Sequence, residues 1–205
     1  MIGIIDYGLG NIRSVIGAVK KVGFEPILTA DGNILSTADK LILPGVGAFG
    51  DGMNNLRELG LIDVLNDLIL GKKKPILGIC LGAQLLAKVS YEFGKHPGLG
   101  LLDAEVIRLE SQNDSIRIPH VGWNDLKKTK DSILTENIPD DALFYYVHSY
   151  HIKCADSSII AATCDYGITF TAAIVQNNIY ATQFHPEKSQ RSGLKLLQNF
   201  LEKAQ

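Results

Sequence analysis

The residue with the clearest chemical setting is Cys80, in the stretch Pro75–Gln84. An apolar run leads into this cysteine, Gly78 and Gly82 flank it, and a helical pattern follows. The arrangement Gly-x-Cys-x-Gly is the cysteine counterpart of the strand-to-helix elbow that exposes a nucleophile, where small neighbours relieve backbone crowding. The positive end of the following helix favours thiolate over thiol. The pattern therefore predicts a nucleophilic cysteine.

A base for this thiol lies near the C-terminus, in the segment Gln183–Ser189. His185 and Glu187 are two residues apart, and on an extended segment such side chains point the same way. Pro186 between them stiffens the backbone. We expect Glu187 to accept a hydrogen bond from one ring nitrogen of His185, which leaves the other nitrogen for Cys80.

A glycine-rich turn, Leu43–Gly50, follows another apolar run and offers backbone N–H groups for an oxyanion. The candidate donors are the backbone N–H groups of this turn, together with that of Leu81 after the nucleophile. The competing interpretation is a phosphate or dinucleotide site. The turn lacks the Lys-Ser/Thr ending of a P-loop, and its glycine spacing alone is a weak dinucleotide signal.

Composition narrows the class of protein. The 205 residues carry 20 Lys and Arg against 22 Asp and Glu, a net charge of −2, and 46% are hydrophobic. Disorder and nucleic acid as the main partner are therefore disfavoured. No apolar stretch approaches the ~20 residues of a membrane helix, and the start of the chain does not resemble a signal peptide. We expect a cytoplasmic protein without membrane association.

Cysteine and histidine spacing argues against metal or disulfide chemistry. No Cys-x-x-Cys occurs, and His120, His148 and His151 lack metal-ligand spacing. Cys154 and Cys164 have no flanking glycines, so we interpret both as buried structural residues. Neither a metal nor a cofactor is expected.

The elements that must position these residues follow a strand–helix alternation in the first half of the chain. Predicted strands are Ile2–Ile5, Leu41–Leu43, Pro75–Ile79, Phe144–Val147, Ile159–Ala162, Ala172–Val175 and Ile179–Phe184. Predicted helices are Asn11–Val22, Met53–Leu70, Leu81–Val89 and Gly193–Lys203, and Gly94–Gly98 is a predicted loop. The alternation predicts one α/β domain over residues 1–205, with a largely parallel central sheet and flanking helices. The region from Val106 to Gln183 is expected to add antiparallel strands.

The three motifs, in this order, resemble the class I (triad) glutamine amidotransferases, whose fold is flavodoxin-like. Further segments, Asp6–Ser14, Pro119–Asn124 and Tyr146–Tyr150, resemble the family of glutaminase subunits of imidazole glycerol phosphate synthases. This resemblance implies hydrolysis of L-glutamine to glutamate and ammonia. It also implies a heterodimer with a (β/α)8-barrel cyclase subunit, which takes up the ammonia for histidine biosynthesis.

The resemblance also assigns expected roles to residues. Cys80 corresponds to the nucleophile, His185 to the base and Glu187 to its orienting group. Gly45, Val46 and Gly47 correspond to an oxyanion strand in which a peptide reorients when the partner's site is occupied. Residues matching the glutamine site are Gln84, Glu92, His148, Ser149 and Tyr150. Residues matching the partner interface are Asn11, Trp123 and Asn124.

The sequence leaves two alternatives open. The segment Glu92–His96 resembles a paralogous branch more than it resembles the histidine-biosynthesis subunits, and that branch supplies ammonia to a sugar nucleotide in surface-polysaccharide (O-antigen) biosynthesis. The chain also departs from the family pattern at Ala83 and at Lys88–Ser90, away from the triad. A stand-alone cysteine hydrolase or stress protein on a similar sheet is the other alternative, but those proteins lack the His-Pro-Glu segment.

Overall fold

The structure is a computed structural model, and it describes residues 1–110 and 116–205. Its strands are β1 (Ile2–Ile5), β2 (Pro26–Thr29), β3 (Lys40–Leu43), β4 (Ile76–Ile79), β5 (Ala87–Ser90), β6 (His96–Pro97), β7 (Leu102–Arg108), β8 (His120–Asn124), β9 (Lys127–Lys128), β10 (Phe144–His148), β11 (Tyr150–Cys154), β12 (Ile160–Asp165), β13 (Thr169–Gln176) and β14 (Ile179–Thr182). Its α-helices are α1 (Ile12–Lys21), α2 (Gly32–Thr37), α3 (Phe49–Glu58), α4 (Leu61–Asn66), α5 (Leu81–Leu85) and α6 (Gln190–Lys203).

The central sheet has the strand order β2-β1-β3-β4-β14-β13-β12-β9. The pairs from β2 through β14 are parallel, and the pairs beyond β14 are antiparallel. The largely parallel sheet with added antiparallel strands was predicted, and the structure confirms it. The edge strand β2 was missed, because it begins with a proline and its four residues are only half-buried or exposed, unlike those of the central strands.

Two clusters of apolar side chains cover the two faces of this sheet. Ile4, Ile42 and Leu77 join the cluster that contains α1 and α6. Their sequence neighbours Leu41 and Leu43 join the cluster that contains α3, α4 and α5. Alternating side chains thus enter two cores, which is why these strands are apolar throughout.

Two predicted helices differ from the structure. The predicted helix Met53–Leu70 is interrupted by Gly60 (φ +66°), which separates α3 from α4. A short π-helical turn, Asp67–Gly71, follows α4. The predicted helix Leu81–Val89 ends at Leu85, and Ala87–Ser90 form β5 instead. The carbonyls of Leu85, Leu86 and Ala87 accept N–H groups from residues 99–102, so the chain leaves the helix there.

Two smaller sheets carry much of the second half of the chain. β10 pairs with β8, and β11, β7, β5 and β6 form the other sheet. The expected enrichment in antiparallel strands is confirmed for the described part of this region, while residues 111–115 lie outside it. The predicted loop Gly94–Gly98 contains the short strand β6. Among the residues that the structure describes, no helix has the length and apolar character needed to cross a bilayer.

Candidate active site

Cys80 lies at a sharp turn between β4 and α5. Its backbone has φ +54° and ψ −110°, a conformation that L side chains rarely adopt. The turn brings the chain so close to its neighbours that a Cβ on Gly82 would lie 1.8 Å from the carbonyl oxygen of Leu43. A Cβ on Gly78 would lie 2.7 Å from Ala83 Cα. These close backbone contacts confirm the prediction that small residues are required on both sides of the cysteine.

His185 follows the end of β14, which is the strand next to β4 in the sheet. Thr182 on β14 pairs with Ile79 on β4, and the Cys80 amide donates to the Thr182 carbonyl over 2.8 Å. The backbone N–H of His185 donates to the Tyr145 carbonyl at 2.9 Å. The carboxyl ends of two adjacent parallel strands thus deliver the thiol and the imidazole to the same place.

The His185 ring is oriented by Glu187. Nδ1 of His185 lies 2.8 Å from Oε1 of Glu187, and each side chain is only 1% exposed. Nε2 of His185 has no hydrogen-bond partner within the described ranges, and it is the nitrogen left for Cys80. Burial lowers the pKa of His185, but the nearby Cys80 and Glu187 outweigh burial and raise the pKa to about 10. This environment favours the imidazolium form.

Asn11, a predicted interface residue, contacts the same carboxylate. Its Nδ2 lies 3.3 Å from Glu187 Oε1, and its Oδ1 accepts a 3.0 Å hydrogen bond from Ser14. The side chain of Asn11 therefore connects the start of α1 to the His185–Glu187 pair. In this structure it is engaged within the chain.

A cavity of about 490 Å³ opens at Cys80 and His185. Its remaining lining residues are Val46, Gly47, Leu81, Gln84, Glu92, Pro119, Val147, His148, Ser149, Tyr150 and Lys188. The structure thus brings together the predicted triad thiol and imidazole, the glycine turn and the five residues expected at the glutamine site. Glu187 contacts His185 but does not line the cavity, and neither does Gly45.

The glycine turn is tightly packed at one position and unusual at another. A Cβ on Gly45 would lie 2.4 Å from the Tyr7 hydroxyl oxygen and 2.7 Å from the Gly82 nitrogen. Gly47 has φ +110°, which favours glycine. The Tyr7 hydroxyl is buried and has no hydrogen-bond partner among the described residues. Burial, and then the charge of Cys80, raise the pKa of Tyr7 well above 10.

Two amide side chains organise the floor of the cavity. Gln84 Nε2 donates to the Tyr150 carbonyl at 2.8 Å and to Gln183 Oε1 at 3.1 Å. Gln183 Nε2 in turn lies 3.9 Å from Cys80 Sγ. Sequence reasoning missed the role of Gln183, although its position two residues before His185 is a signal, since both follow the same strand.

Glu92 and His148 reach the cavity from different elements. Glu92 Oε2 accepts a 2.6 Å hydrogen bond from the Phe49 amide at the start of α3. His148 uses both ring nitrogens inside the protein, with Nδ1 3.0 Å from the Tyr150 carbonyl and Nε2 3.1 Å from His120 Nδ1. Burial, the main effect, lowers the pKa of His148 to about 3 and that of His120 to about 4.

Trp123 and Asn124 lie at the end of β8. The Trp123 side chain is 45% exposed and packs edge-on against Tyr145, with ring centroids 5.9 Å apart. Asn124 Nδ2 donates to the Asp165 carbonyl at 3.0 Å and contacts His120 Nε2 at 3.4 Å. An exposed indole on a strand that is paired in a sheet is typical of a surface that contacts another protein.

The remaining cysteines are not placed for nucleophilic chemistry. Burial raises the pKa of Cys154 to about 11 and that of Cys164 to about 12. Cys164 is fully buried and Cys154 is half-buried, so the predicted burial of both holds only in part for Cys154. Within residues 1–110 and 116–205, no group of three or more His, Cys, Asp or Glu side chains is arranged to hold a metal ion.

The sequence matches the family model "Glutamine amidotransferase class-I" over residues 3–204. It is 47% identical over 204 residues to imidazole glycerol phosphate synthase subunit HisH 2 of Methanococcus maripaludis, with 100% of both chains covered. It is 50% identical over 203 residues to subunit HisH of Aquifex aeolicus, covering 98% of this chain and 96% of that one. The chain belongs to the class-I glutamine amidotransferase family.

Solved structures agree with this family assignment at the level of the fold. A glutamine amidotransferase crystal structure superposes with a TM-score of 0.76 at 23% identity, covering 98% of this chain and 97% of that one. The PurLQS structure from Thermotoga maritima gives a TM-score of 0.75 at 21% identity, covering 98% and 96%. The predicted class I amidotransferase fold is therefore confirmed.

Proposed function

We propose that this amidotransferase is the glutaminase subunit of an imidazole glycerol phosphate synthase. It hydrolyses L-glutamine and passes the ammonia to a (β/α)8-barrel cyclase subunit. The observation that carries the proposal is the cavity in which a strained Cys80 meets a His185 held by Glu187. Full-length similarity to subunits of that name, at 47–50% identity in Methanococcus maripaludis and Aquifex aeolicus, supports this choice of reaction.

In the proposed reaction, Cys80 Sγ attacks the side-chain amide carbon of glutamine. The oxyanion that forms is stabilised by backbone N–H groups of Leu81 and of Val46 and Gly47 in the glycine turn, which line the cavity, as an oxyanion hole requires. His185 gives a proton to the leaving nitrogen, the C–N bond breaks, and a γ-glutamyl thioester and ammonia result. Water then gives a proton to the now neutral His185 and attacks the thioester carbonyl. The C–S bond breaks, glutamate is released, and the starting pair of Cys80 thiolate and His185 imidazolium is restored.

Substrate binding is assigned to the cavity walls. Glu92 supplies a carboxylate for the ammonium group of glutamine through Oε1, since Oε2 already accepts from Phe49. Gln84, Ser149 and Tyr150 are assigned to the part of the cavity wall that surrounds the α-carboxylate of glutamine. The aliphatic part of glutamine fits between Val46 and Val147, because burying apolar surface favours such contact.

We assign the contact with the barrel subunit to the face that carries Trp123 and Asn124. Asn11, at the start of α1, is assigned to the same contact and also bonds to Glu187 of the triad. The exposed indole of Trp123 and the exposed Val121 of the same strand supply the apolar surface for that contact. We place the protein in the cytoplasm, where an amino-acid biosynthetic enzyme meets its substrates. Residues 1–205 act as one amidotransferase unit, matched by the family over nearly their whole length.

A second acceptor for the ammonia is kept as an alternative. The relatives from M. maripaludis and Pseudomonas aeruginosa are both named HisH 2, and such a number distinguishes more than one subunit of this kind. The sequence Glu92–His96 also resembles the branch that serves sugar-nucleotide amidation. In that case the glutaminase chemistry is the same, and only the partner's substrate differs.

The deciding experiment measures glutamate release by the purified chain alone, with its cognate barrel subunit, and with that subunit plus the N-ribosylated imidazole carboxamide nucleotide. We expect little glutamate from the chain alone and a steep rise with both additions. Activation by the barrel subunit without response to the nucleotide would favour the polysaccharide branch. Efficient ester or peptide hydrolysis by the chain alone would indicate a stand-alone hydrolase. A Cys80→Ser chain that still releases glutamate would falsify the nucleophile assignment.

A further inference from the structure

Two buried histidines outside the triad, His148 and His120, are hydrogen-bonded to each other next to the cavity. His148 Nδ1 lies 3.0 Å from the carbonyl oxygen of Tyr150. A carbonyl only accepts, so Nδ1 of His148 must carry the proton. In a neutral imidazole the other nitrogen then accepts, which makes His148 Nε2 an acceptor.

The direction of the next two hydrogen bonds follows from the first. His148 Nε2 lies 3.1 Å from His120 Nδ1, so His120 donates to it. His120 Nε2 is then an acceptor as well, and it lies 3.4 Å from the Nδ2 donor of Asn124. The hydrogen bonds therefore run one way, from Asn124 through His120 and His148 to the carbonyl of Tyr150. Burial lowers the pKa of both rings and so favours their neutral forms.

The aromatic surroundings hold His120 in one orientation. Its ring stacks on Tyr146 with centroids 4.8 Å apart and on Tyr166 with centroids 3.9 Å apart, both at an interplanar angle of 18°. The side chain is 2% exposed. A ring clamped in this way cannot flip to exchange its donor and acceptor without opening the core.

The chain of hydrogen bonds ends on an atom that also serves the glutamine site. The Tyr150 carbonyl accepts from Gln84 Nε2 at 2.8 Å, and Gln84 bonds to Gln183, which contacts Cys80 Sγ. Tyr150 itself follows Ser149 on the cavity wall. A displacement of this carbonyl therefore moves the floor of the cavity as well as one wall.

We propose that His120 is a positioning residue for glutamine binding. Through His148 it fixes the Tyr150 carbonyl and Gln84, and through Asn124 it connects the glutamine site to the face that carries Trp123. This inference rests on the proposed glutaminase function. It assigns no chemical step to His120, which does not line the cavity that holds the reacting atoms.

The test compares His120→Phe with Tyr166→Phe in the complex with the barrel subunit. His120→Phe keeps a ring between Tyr146 and Tyr166 but removes both hydrogen bonds. We expect its KM for glutamine to rise ~10-fold with kcat changed less than about threefold, because the binding energy lost is shared equally by the ground state and the transition state. Asn124→Ala should change KM in the same direction but less, since, of the hydrogen bonds that run from Asn124 to the Tyr150 carbonyl, it removes only the longest one. It also loses the hydrogen bond to the Asp165 carbonyl, which lies outside this series. Tyr166→Phe loses the hydroxyl bond to the Arg117 carbonyl and should leave KM within about twofold.

A second measurement needs no variant of the network. The ¹⁵N chemical shifts of the two imidazoles in the full wild-type chain at pH 7 report which nitrogen carries the proton. We expect protonated Nδ1 and unprotonated Nε2 on both rings. Protonation of Nε2 on either ring, or a KM of His120→Phe within about twofold of wild type, would overturn the proposal. A wild-type complex that releases no glutamate would instead overturn the proposed function, and this inference with it.

Discussion

The amide nitrogen of Phe49 lies 2.6 Å from Oε2 of Glu92. Phe49 is the first residue of α3, so the carboxylate occupies the N-terminus of a ten-residue helix, where backbone N–H groups and the helix dipole favour negative charge. The turn that contains Gly45 and Gly47 leads directly into the same helix. The group assigned to the substrate's ammonium and the backbone assigned to the oxyanion are thus fixed to one element.

Replacing Glu92 by Gln separates its charge from its structural contact. The amide oxygen of Glu92→Gln still accepts the Phe49 N–H and only the charge at the helix N-terminus is lost, so the free energy of unfolding should fall by no more than about 1 kcal/mol. The loss of charge opposite the ammonium group should raise KM for glutamine ~10-fold or more, as expected for a charged hydrogen bond. Steady-state kinetics of the complex and urea denaturation of the chain measure the two effects. An unchanged KM would remove Glu92 from the substrate site.

Two glycine-to-alanine substitutions are expected to have opposite effects on stability. A Cβ on Gly45 meets Tyr7 Oη at 2.4 Å and the Gly82 nitrogen at 2.7 Å, so Gly45→Ala should destabilise the fold by about 3 kcal/mol. A Cβ on Gly17, in the interior of α1, meets nothing within 4 Å. Gly17→Ala should therefore stabilise the fold by ~0.5–1 kcal/mol.

Urea denaturation of both variants measures this contrast. A double variant, Gly45→Ala with Tyr7→Phe, should recover part of the loss, because it removes the hydroxyl contact and leaves the Gly82 contact. No recovery would mean that the two remaining contacts of this Cβ, with the Gly82 nitrogen at 2.7 Å and with Leu81 Cβ at 2.8 Å, set the spacing at this turn.

The strained backbone of Cys80 predicts an unusual ranking of two inactive variants. Both Cys80→Ala and Cys80→Gly should release no glutamate. Because φ is +54°, glycine relieves strain of ~1–3 kcal/mol, against an entropic cost of ~0.5–1 kcal/mol in the unfolded chain. Cys80→Gly should therefore be more stable than Cys80→Ala by about 1 kcal/mol in urea denaturation. The reverse order would show that this turn is unstrained.

Removing the charge of Glu187 should move the pH dependence of the reaction. The nearby Cys80 and Glu187 hold the pKa of His185 above its usual 6.5, so the imidazolium persists at neutral pH. Glu187→Gln keeps a hydrogen-bond acceptor but removes one charge, so the pKa of His185 falls and the imidazolium is lost at lower pH. The alkaline limb of kcat/KM against pH should shift downward. Asp39→Asn, a surface change, should leave the profile unchanged.

The buried pair His120 and His148 should make the fold sensitive to acid. Their folded pKa values, about 4 and about 3, lie below the unfolded value of 6.5. Below pH 6.5 the unfolded chain binds more protons, so stability falls as pH decreases, by at most ~1.4 kcal/mol per pH unit for each histidine. Unfolding free energies at pH 7, 6 and 5 measure the slope. His120→Phe should have a shallower slope, and an equal slope in both chains would contradict this assignment.

The residues of the elbow and of the His-Pro-Glu segment could be predicted because their chemistry is local. Gly78 and Gly82 flank the thiol within one turn, and His185 and Glu187 are two residues apart, so short-range geometry suffices. The same holds for β1, β3 and β4, whose continuous apolar runs reflect burial on both faces.

The elements that were missed depend on contacts between distant parts of the chain. The apolar stripe over Met53–Leu70 continues past Gly60, and periodicity alone does not register a single left-handed residue. The end of α5 is set by hydrogen bonds from residues 99–102. These residues are too distant along the chain for the local sequence pattern to indicate their effect. His120 and His148 are 28 residues apart, and only the pairing of β8 with β10 brings their rings together.

The register between β4 and β14 has a consequence for how the protein loses activity. Thr182 pairs with Ile79, and Cys80 and His185 follow those residues within one and three positions. The spacing of thiol and imidazole is therefore set by the two central strands of the sheet, together with the hydrogen bond from the His185 N–H to the Tyr145 carbonyl of β10. Such a site has no melting transition of its own. Catalysis and the buried core should disappear together on denaturation, so that glutamine turnover serves as a direct gauge of the folded population.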